Sequence, residues 1–337
     1  MQTVLKTEKL SMSFPVYKGL IFRKEKARVQ AVDEVSLDVK EGETLGLVGE
    51  SGCGKSSFGR TVMRLYEPVS GRIELCGQDI SRMGQKELLP HRRHFQMIFQ
   101  DPYASLNPRM TVFDIIAEPF RTHERGLGTK ELDQQVRSLM EMVGLSPRFV
   151  KKYPHEFSGG QRQRIAIARA IAVQPRLIIC DEPVSALDVS VQAQIINLLR
   201  NLQQQLKLAY LFIAHDLAVV RHISDRVAVM YLGKIVEIAD KEDIFTHPCH
   251  PYTKALLSAA PLADPDREKQ RTRIVLEGDL PSPLNPPKGC VFQSRCPLAD
   301  SGCTRQRPEL NPVSSGHLVA CHKVNSDSSQ EQHNRAS

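Results

Sequence analysis

The sequence predicts an α/β protein built around a parallel sheet, and three observations predict it. The apolar run Leu45-Gly46-Leu47-Val48 feeds Gly49-Glu50-Ser51-Gly52-Cys53-Gly54-Lys55-Ser56, which fits G-x-x-x-x-G-K-[ST] and precedes a helix-like stretch from Lys55 to Tyr66. Leu177 to Cys180 and Tyr210 to Ala214 are continuous apolar runs, as expected of strands buried on both faces. A helical pattern from about Val191 to Leu206 joins those runs into a strand-helix-strand unit.

Taken in order, residues 1–40 read as strands around a basic loop. Val32, Val35, Leu37 and Val39 alternate in part, and the stretch from Lys18 to Arg28 is charged with Leu20, Ile21 and Phe22 interleaved. That loop suits a partner or lipid headgroups as well as a solvated hairpin tip. Gly71 to Cys76 reads as a strand, and residues 84–94 as a polar, basic surface segment. Gln96 begins a short apolar strand that runs into a proline-punctuated loop ending at Pro108. Residues 110–152 carry helical periodicity broken by Pro119, Gly126, Gly128 and Pro147, which reads as a helical insertion between halves of a sheet. A further helix covers residues 160–173, and Arg226 to Tyr231 with Lys234 to Ile238 forms a hairpin around Gly233. Prolines then crowd the chain beyond His247, placing a boundary near residue 245. The expected domains are 1–245, with a helical subdomain over about 101–165, then an extension over 246–323 and a polar, disordered tail over 324–337.

The 337 residues suffice for one large or two ordinary domains, and 41% hydrophobic with 25% charged residues is ordinary for a globular protein. The net charge of +7 suits nucleic acid, anionic ligands or a membrane surface, but the basic residues are scattered and single out none of them. No apolar run approaches the roughly 20 residues that cross a bilayer, and the N-terminus lacks a signal peptide's apolar core. A cytoplasmic chain is therefore expected, in which the eight cysteines read as thiols or metal ligands rather than disulfides.

The chemistry collects at strand ends. Glycines fold the 49–56 backbone into a nest of N–H donors, the following helix N-terminus adds positive partial charge, Lys55 reaches terminal phosphates, and Ser56 binds Mg²⁺ through its hydroxyl. Three other apolar runs end at Gln100, at Asp181-Glu182 and at His215. Ligands gather at the carboxyl ends of strands in open α/β sheets, so these groups are expected to converge. Phosphoryl transfer would use Asp181 with Ser56 on Mg²⁺, Glu182 as the base for the attacking water, His215 on the γ-phosphate, and Gln100 as a water and Mg²⁺ sensor. Singly, these residues also fit an acidic turn, a satisfied histidine and a loop amide. Phe157-Ser158-Gly159-Gly160-Gln161-Arg162-Gln163-Arg164 sets two glycines ahead of a basic helix, either as a glycine cap or as a second backbone anion site. If it is a second site, two copies meeting head to tail would each cover the nucleotide held by the other.

With these motifs in order, and with Ser185-Ala186-Leu187-Asp188 between them, the chain resembles the ATP-binding cassette family over about residues 1–245. Phe99-Gln100-Asp101-Pro102-Tyr103-Ala104-Ser105-Leu106-Asn107-Pro108, the stretch from Asp181 to Ser190, and His250-Pro251-Tyr252-Thr253-Lys254-Ala255-Leu256-Leu257 are similar to the ATPase subunits of bacterial dipeptide and oligopeptide importers. The resemblance implies a P-loop NTPase (RecA-like) core with an antiparallel β subdomain and helical insertion, plus a small irregular C-terminal extension. It implies ATP hydrolysis by a dimer sandwiching two MgATP, with a second ATPase subunit that is a paralogue or a self copy. Two transmembrane permease subunits would dock on the loop after Gln100 and the helical insertion, and an extracytoplasmic peptide-binding protein would act indirectly. The chain would then sit peripherally on the cytoplasmic face of the cell membrane.

Catalytic roles are implied for Glu182, His215, Lys55 and Gln100, and Mg²⁺ contacts for Ser56, Gln100 and Asp181. Nucleotide contacts are implied for Phe14, Gly49, Ser51, Gly52, Cys53, Gly54, Lys55, Ser56, Ser57, Gln100, Ser158, Gly159, Gly160, Gln161 and Asp188. Phe14 is the choice for adenine stacking, with Tyr17 and Phe22 next, and core packing fits all three equally. Phe157 replaces the family's commoner Leu, and Ser57 its usual Thr. A soluble member acting on nucleic acid or the ribosome is the alternative. Such proteins carry tandem cassettes or long coiled-coil insertions, and this sequence has neither, so no nucleic-acid partner is expected.

Cys290, Cys296, Cys303 and Cys321 are spaced x5, x6 and x17, unlike zinc-ribbon knuckles, so spacing alone fits a metal site or scattered thiols. Similar tails in peptide-importer ATPases hold a 4Fe-4S cluster in some relatives. The resemblance thus implies iron-sulfur ahead of zinc, although all-thiolate ligation suits both.

Overall fold

The computed structural model describes residues 2–18, 24–124, 126–259, 274–276, 278 and 281–324. Phe22, the tip of the basic loop and the tail beyond Val324 lie outside the described residues. The elements run β1 (Thr3–Lys18), β2 (Lys24–Lys40), β3 (Thr44–Val48), α1 (Lys55–Val62), β4 (Ser70–Leu75), β5 (Gln78–Asp79), α2 (Gln85–Leu88), β6 (Phe95–Ile98), α3 (Pro102–Ser105) and α4 (Val112–His123). They continue α5 (Thr129–Met142), α6 (Gly159–Ile171), β7 (Leu177–Asp181), α7 (Val189–Leu206), β8 (Ala209–Ile213), α8 (Leu217–Ile223), β9 (Arg226–Tyr231), β10 (Lys234–Asp240), α9 (Lys241–Thr246) and α10 (Pro251–Ala259). The short helix α11 (Ser301–Arg305) and strands β11 (Asn311–Ser314) and β12 (His317–Val319) complete the set. Two compact units result. One comprises Met1–Lys6, Asp38–Thr44 and Glu74–Ala214, and the other comprises Thr7–Leu37, Leu45–Ile73 and His215–Ser337.

In the first unit β6, β7 and β8 are parallel, with Phe95 opposite Leu177 and Leu177 opposite Ala209. Every residue of β7 and β8 is buried, which is why both read as unbroken apolar runs. Helix α7 makes the crossover between them and buries Ile195, Ile196, Leu199 and Leu202, one face of a 3.6-residue period. Helices α4 and α5 lie within residues 110–152, and α6 follows them. Pro119 lies inside α4 and does not end it, contrary to the sequence expectation. Burial of Ile115, Ile116, Ala117 and Phe120 holds the helix through the lost backbone bond. The N–H groups of Val112 and Phe113, orphaned at the start of α4, donate to the carbonyls of Lys152 and Val150.

In the second unit β3 runs parallel to β9, pairing Leu45 with Arg226 and Val48 with Val229. Strands β9 and β10 form the predicted hairpin. Leu232 and Gly233 have φ values of 46° and 81°, so both turn positions are left-handed, as a two-residue turn between twisted strands requires. Helix α1 stops at Val62, short of the predicted Tyr66. Arg64 turns left-handed at φ 53°, and the N–H groups of Leu65 and Tyr66 close back on the Arg60 carbonyl.

The extension beyond residue 245 returns to this unit. Strand β12 pairs antiparallel with β10, and β11 pairs with β12. Within β10 the fully buried Glu237 carboxylate accepts from the N–H groups of Cys249 (2.7 Å) and His250 (2.9 Å) and meets His317 Nε2 at 2.7 Å. Burial would push this carboxyl up, but the hydrogen bonds from His317, Thr253, Cys249 and His250 outweigh it and hold Glu237 below its ordinary value of 4.5. Burial lowers the His250 imidazole from 6.5 to about 4, against the opposing pull of Glu237. The neutral ring is the one the fold uses, since its Nδ1 accepts from the Tyr252 N–H at 3.1 Å.

Both shifts make the fold acid-labile. With its folded pKa lowered, His250 takes up a proton more readily when unfolded, so stability falls as pH drops from 6.5 toward 4; Glu237 adds its loss below about 4.5. Urea unfolding across this range is expected to lose up to about 3 kcal/mol from His250. His250→Gln should flatten the slope between pH 6.5 and 4, and an unchanged slope would show that the imidazole is not responsible.

Candidate functional site

The glycine loop leaves β3, whose five residues are all buried, and enters α1 with Gly54 as the helix N-cap. A Cβ on Gly49 would stand 2.1 Å from the Met230 carbonyl oxygen. One on Gly54, at φ 110°, would stand 2.1 Å from that of Ala31. Only glycine lets the loop pass between these backbones. Lys55 is 4% exposed, and its Nζ donates to the carbonyls of Gly49 (2.7 Å) and Glu50 (3.0 Å), closing the loop on itself. Ser51 and Gly52 form the exposed tip, and Ser56 and Ser57 lie half-buried in the first turn of α1. Burial raises the Cys53 thiol, against the lowering influence of Lys55, so Cys53 fills space as a neutral side chain.

Strand β7 ends in the fully buried Asp181. Glu182 leaves the ladder at φ 48°, a left-handed conformation that costs a non-glycine residue on the order of 1 kcal/mol, while its N–H donates to the Ile213 carbonyl at 2.9 Å. The Ser185 hydroxyl and N–H return to the Glu182 carbonyl. The strained turn aims the carboxylate at Gln100, whose Nε2 donates to Glu182 Oε2 at 2.9 Å. Two residues that are 82 positions apart in sequence and that stood as separate candidates are one pair in space. Asp188 is the exposed residue that starts α7. His215 is exposed beyond β8, and its neighbour Asp216 caps α8, accepting from the N–H groups of Ala218 and Val219.

The cap of α6 is Ser158, not a glycine. Its hydroxyl accepts from Gln161 N (3.4 Å) and Gln161 Oε1 accepts from Ser158 N (3.0 Å), a reciprocal capping box that leaves Gly159 and Gly160 opening the helix. Two arginines of α6 also hold the turn that follows Gln100, a link with no sequence signal. Arg162 donates to the Pro154 carbonyl at 2.6 Å and lays its guanidinium over Tyr103, 3.7 Å from the ring centroid. Arg169 donates to the Ser105 carbonyl at 2.8 Å.

Comparison with known proteins agrees with this geometry. The family described as "ABC transporter" matches residues 32–185, and that described as "Oligopeptide/dipeptide transporter, C-terminal region" matches residues 236–303. The oligopeptide transport ATP-binding protein AppF of Bacillus subtilis (strain 168) is 55% identical over 322 residues, covering 95% of this chain and 97% of that protein. The chain belongs to the ABC transporter family. The oligopeptide transport ATP-binding protein OppF of Escherichia coli (strain K12) is 55% identical over 296 residues, 88% of each chain. Among solved structures, the dimeric ATP-binding cassette MJ0796 bound to ADP and Pi aligns with a TM-score of 0.62 at 27% identity, covering 70% of this chain and 98% of that one. The cassette cbiO1 from Clostridium perfringens aligns with a TM-score of 0.62 at 25% identity, covering 73% and 92%.

Within the family frame, the aromatic candidates separate by exposure. Phe14 is half-buried with its ring edge-on to Tyr66 at 5.2 Å, and Tyr17 is 53% exposed. Among the described residues, the group of ligand atoms lying within 4.8 Å of one another is Glu237, Cys249 and His317, and it includes none of the four C-terminal cysteines. Cys290 N donates to the Cys303 carbonyl at 2.7 Å. Burial raises the Cys290 thiol to about 11, and the Cys303, Cys321 and Cys296 thiols add to it. Burial likewise raises Cys296, with Cys321 and Cys303 adding to it. Four free thiols suit a soft, thiolate-bound group by their chemistry, and its binding would displace their protons.

The loop geometry gives a direct test. Gly54→Ala adds a Cβ to a left-handed residue against the Ala31 carbonyl and is expected to cost at least about 2 kcal/mol. Chemical denaturation of the variant measures this, and parental stability would remove the contact as a determinant of loop shape.

Proposed function

We propose that the chain is the ATP-hydrolysing subunit of a bacterial importer for dipeptides and oligopeptides, working as a nucleotide-sandwich dimer on two permease subunits. The observation that carries the catalytic half is the Gln100–Glu182 pair at the end of β7, held by a strained backbone beside the buried Asp181. Family membership and near full-length likeness to oligopeptide transport ATP-binding proteins support the transport half. The C-terminal match to the oligopeptide/dipeptide transporter family also disfavours a soluble member acting on nucleic acid or the ribosome.

In this reading the N–H groups of residues 49–56 receive the ATP phosphates, and Lys55 exchanges its loop carbonyls for phosphate oxygens. Ser56, Gln100 and Asp181 are the residues that would hold Mg²⁺, which would supply charge neutralisation on the phosphates. Glu182 takes a proton from the attacking water as its oxygen bonds to the γ-phosphorus and the bridging P–O bond breaks, releasing ADP and phosphate. His215 contacts the γ-phosphate, and Phe14 stacks on adenine. Ser158, Gly159, Gly160, Gln161 and Asp188 of each copy complete the site of the other. The segment over about 101–165 docks on the permeases at the cytoplasmic face of the cell membrane, and an extracytoplasmic binding protein supplies the peptide. Among the described residues no helix is long and apolar enough to cross a membrane, consistent with a peripheral subunit. Cys290, Cys296, Cys303 and Cys321 are the residues that would hold a 4Fe-4S cluster through their thiolates.

Two experiments test the reading. Glu182→Gln is expected to retain ATP binding and lose at least about 100-fold in turnover, and near wild-type hydrolysis would remove Glu182 as the base. Anaerobically purified protein is expected to contain about four irons and four acid-labile sulfides per chain. Zinc alone, or no metal, would defeat the cluster assignment.

A further inference from the structure

The phosphate loop is gripped from outside at two points, and both lead to the cysteine-bearing segment. At the first point the Glu50 N–H donates to the Tyr252 hydroxyl at 2.8 Å, and the Glu50 carboxylate accepts from Arg295 Nη1 at 2.8 Å. At the second, the Cys53 carbonyl accepts from the Gly233 N–H at 2.8 Å. Gly233 lies two residues beyond Tyr231, whose ring meets Tyr252 at 4.7 Å and Phe292 at 5.2 Å, while Tyr252 meets Phe292 at 5.5 Å. All three rings are fully buried. The Arg295 guanidinium lies 6.0 Å from the Tyr231 ring centroid, and its side chain is 11% exposed. Phe292 and Arg295 both fall between Cys290 and Cys296, with Arg295 directly preceding Cys296. A stretch of seven residues therefore contributes one ring of the block and the cation on Glu50.

We propose that residues 290–296 brace the phosphate loop, with Arg295 as a positioning residue that acts through Glu50 on nucleotide affinity. Two physical reasons support this. A nest of N–H groups binds phosphate strongly only when the donors are aimed before the ligand arrives, so a mobile loop would lose affinity to ordering. An unpaired Glu50 carboxylate within the loop would also repel the incoming phosphates, and Arg295 both neutralises it and holds it in place. Because Arg295 adjoins Cys296, whatever orders the cysteine segment also orders the brace.

The inference rests on ATP binding by residues 49–56, and its test separates the two claims. Binding of a fluorescent ATP analogue to the full chain is measured for the parent, Arg295→Met, Arg295→Lys, Glu50→Gln and the Arg295→Met/Glu50→Gln pair, with nucleotide-free melting temperatures alongside. Arg295→Met is expected to weaken binding about 3- to 10-fold, and Arg295→Lys to restore most of it. The pair should be no worse than the weaker single variant, because both remove one interaction. In the assembled transporter the Arg295→Met change should fall on KM with kcat retained. If the parent binds no nucleotide, the ATP reading fails. If the parent binds and Arg295→Met binds equally well, or if the losses from Arg295→Met and Glu50→Gln multiply, the brace is overturned. A failure of Arg295→Met to fold leaves the decision to Glu50→Gln, where parental affinity also overturns it.

Discussion

The buried ammonium of Lys55, held by the carbonyls of Gly49 and Glu50, is the interaction on which the candidate site depends. A cation 4% exposed to water needs compensating oxygens, and the loop supplies them from its own backbone. This ties the far end of the loop to its beginning and explains why Gly49 and Gly54 must pass so close to the Met230 and Ala31 carbonyls. The loop is thus preset by its neighbours: β9 and β2 confine its backbone, and Tyr252 and Arg295 fasten Glu50. The C-terminal extension, which looks like an appendage in sequence, belongs to the surroundings of the phosphate loop.

The other unit follows a comparable logic with different means. Parallel strands buried on both faces have no polar side chain to offer until they end, so the candidate groups stand at and just beyond the ends of β6 and β7. At Glu182 the chain accepts a left-handed residue to turn the carboxylate onto Gln100. Arg162 and Arg169 fasten the turn after Gln100 to helix α6, whose first residues carry Ser158 and Gln161.

Much of this was legible in sequence. The loop, the apolar strands, the α7 crossover and the β9–β10 hairpin carry local signals, because burial and turn geometry act over a few residues. Pro119 misled because tertiary burial of Ile115, Ile116 and Phe120 outweighs a local breaker. The glycine pair allows a glycine cap for α6, whereas the Ser158–Gln161 box is what the helix uses. The Glu237 hub with His250, Cys249 and His317 went unread, since its partners come from β10, the turn before α10, and β12. No spacing rule links them.

Sequence alone determined the order of the chemical groups: a glycine loop with Lys55 and Ser56, Gln100, Ser158 to Gln161, Asp181-Glu182 and His215. These arise from chain-local patterns of glycine, apolar runs and polar ends. Only the tertiary structure decided which of them meet. The spacing of Cys290, Cys296, Cys303 and Cys321 leaves a metal site or scattered thiols open, and the fold adds one direct contact, from the Cys290 N–H to the Cys303 carbonyl. Gln100 and Glu182 became a hydrogen-bonded pair, and Arg295 found Glu50 across 245 positions. The reason is that long-range contacts depend on strand order and helix packing, which a local periodicity does not encode.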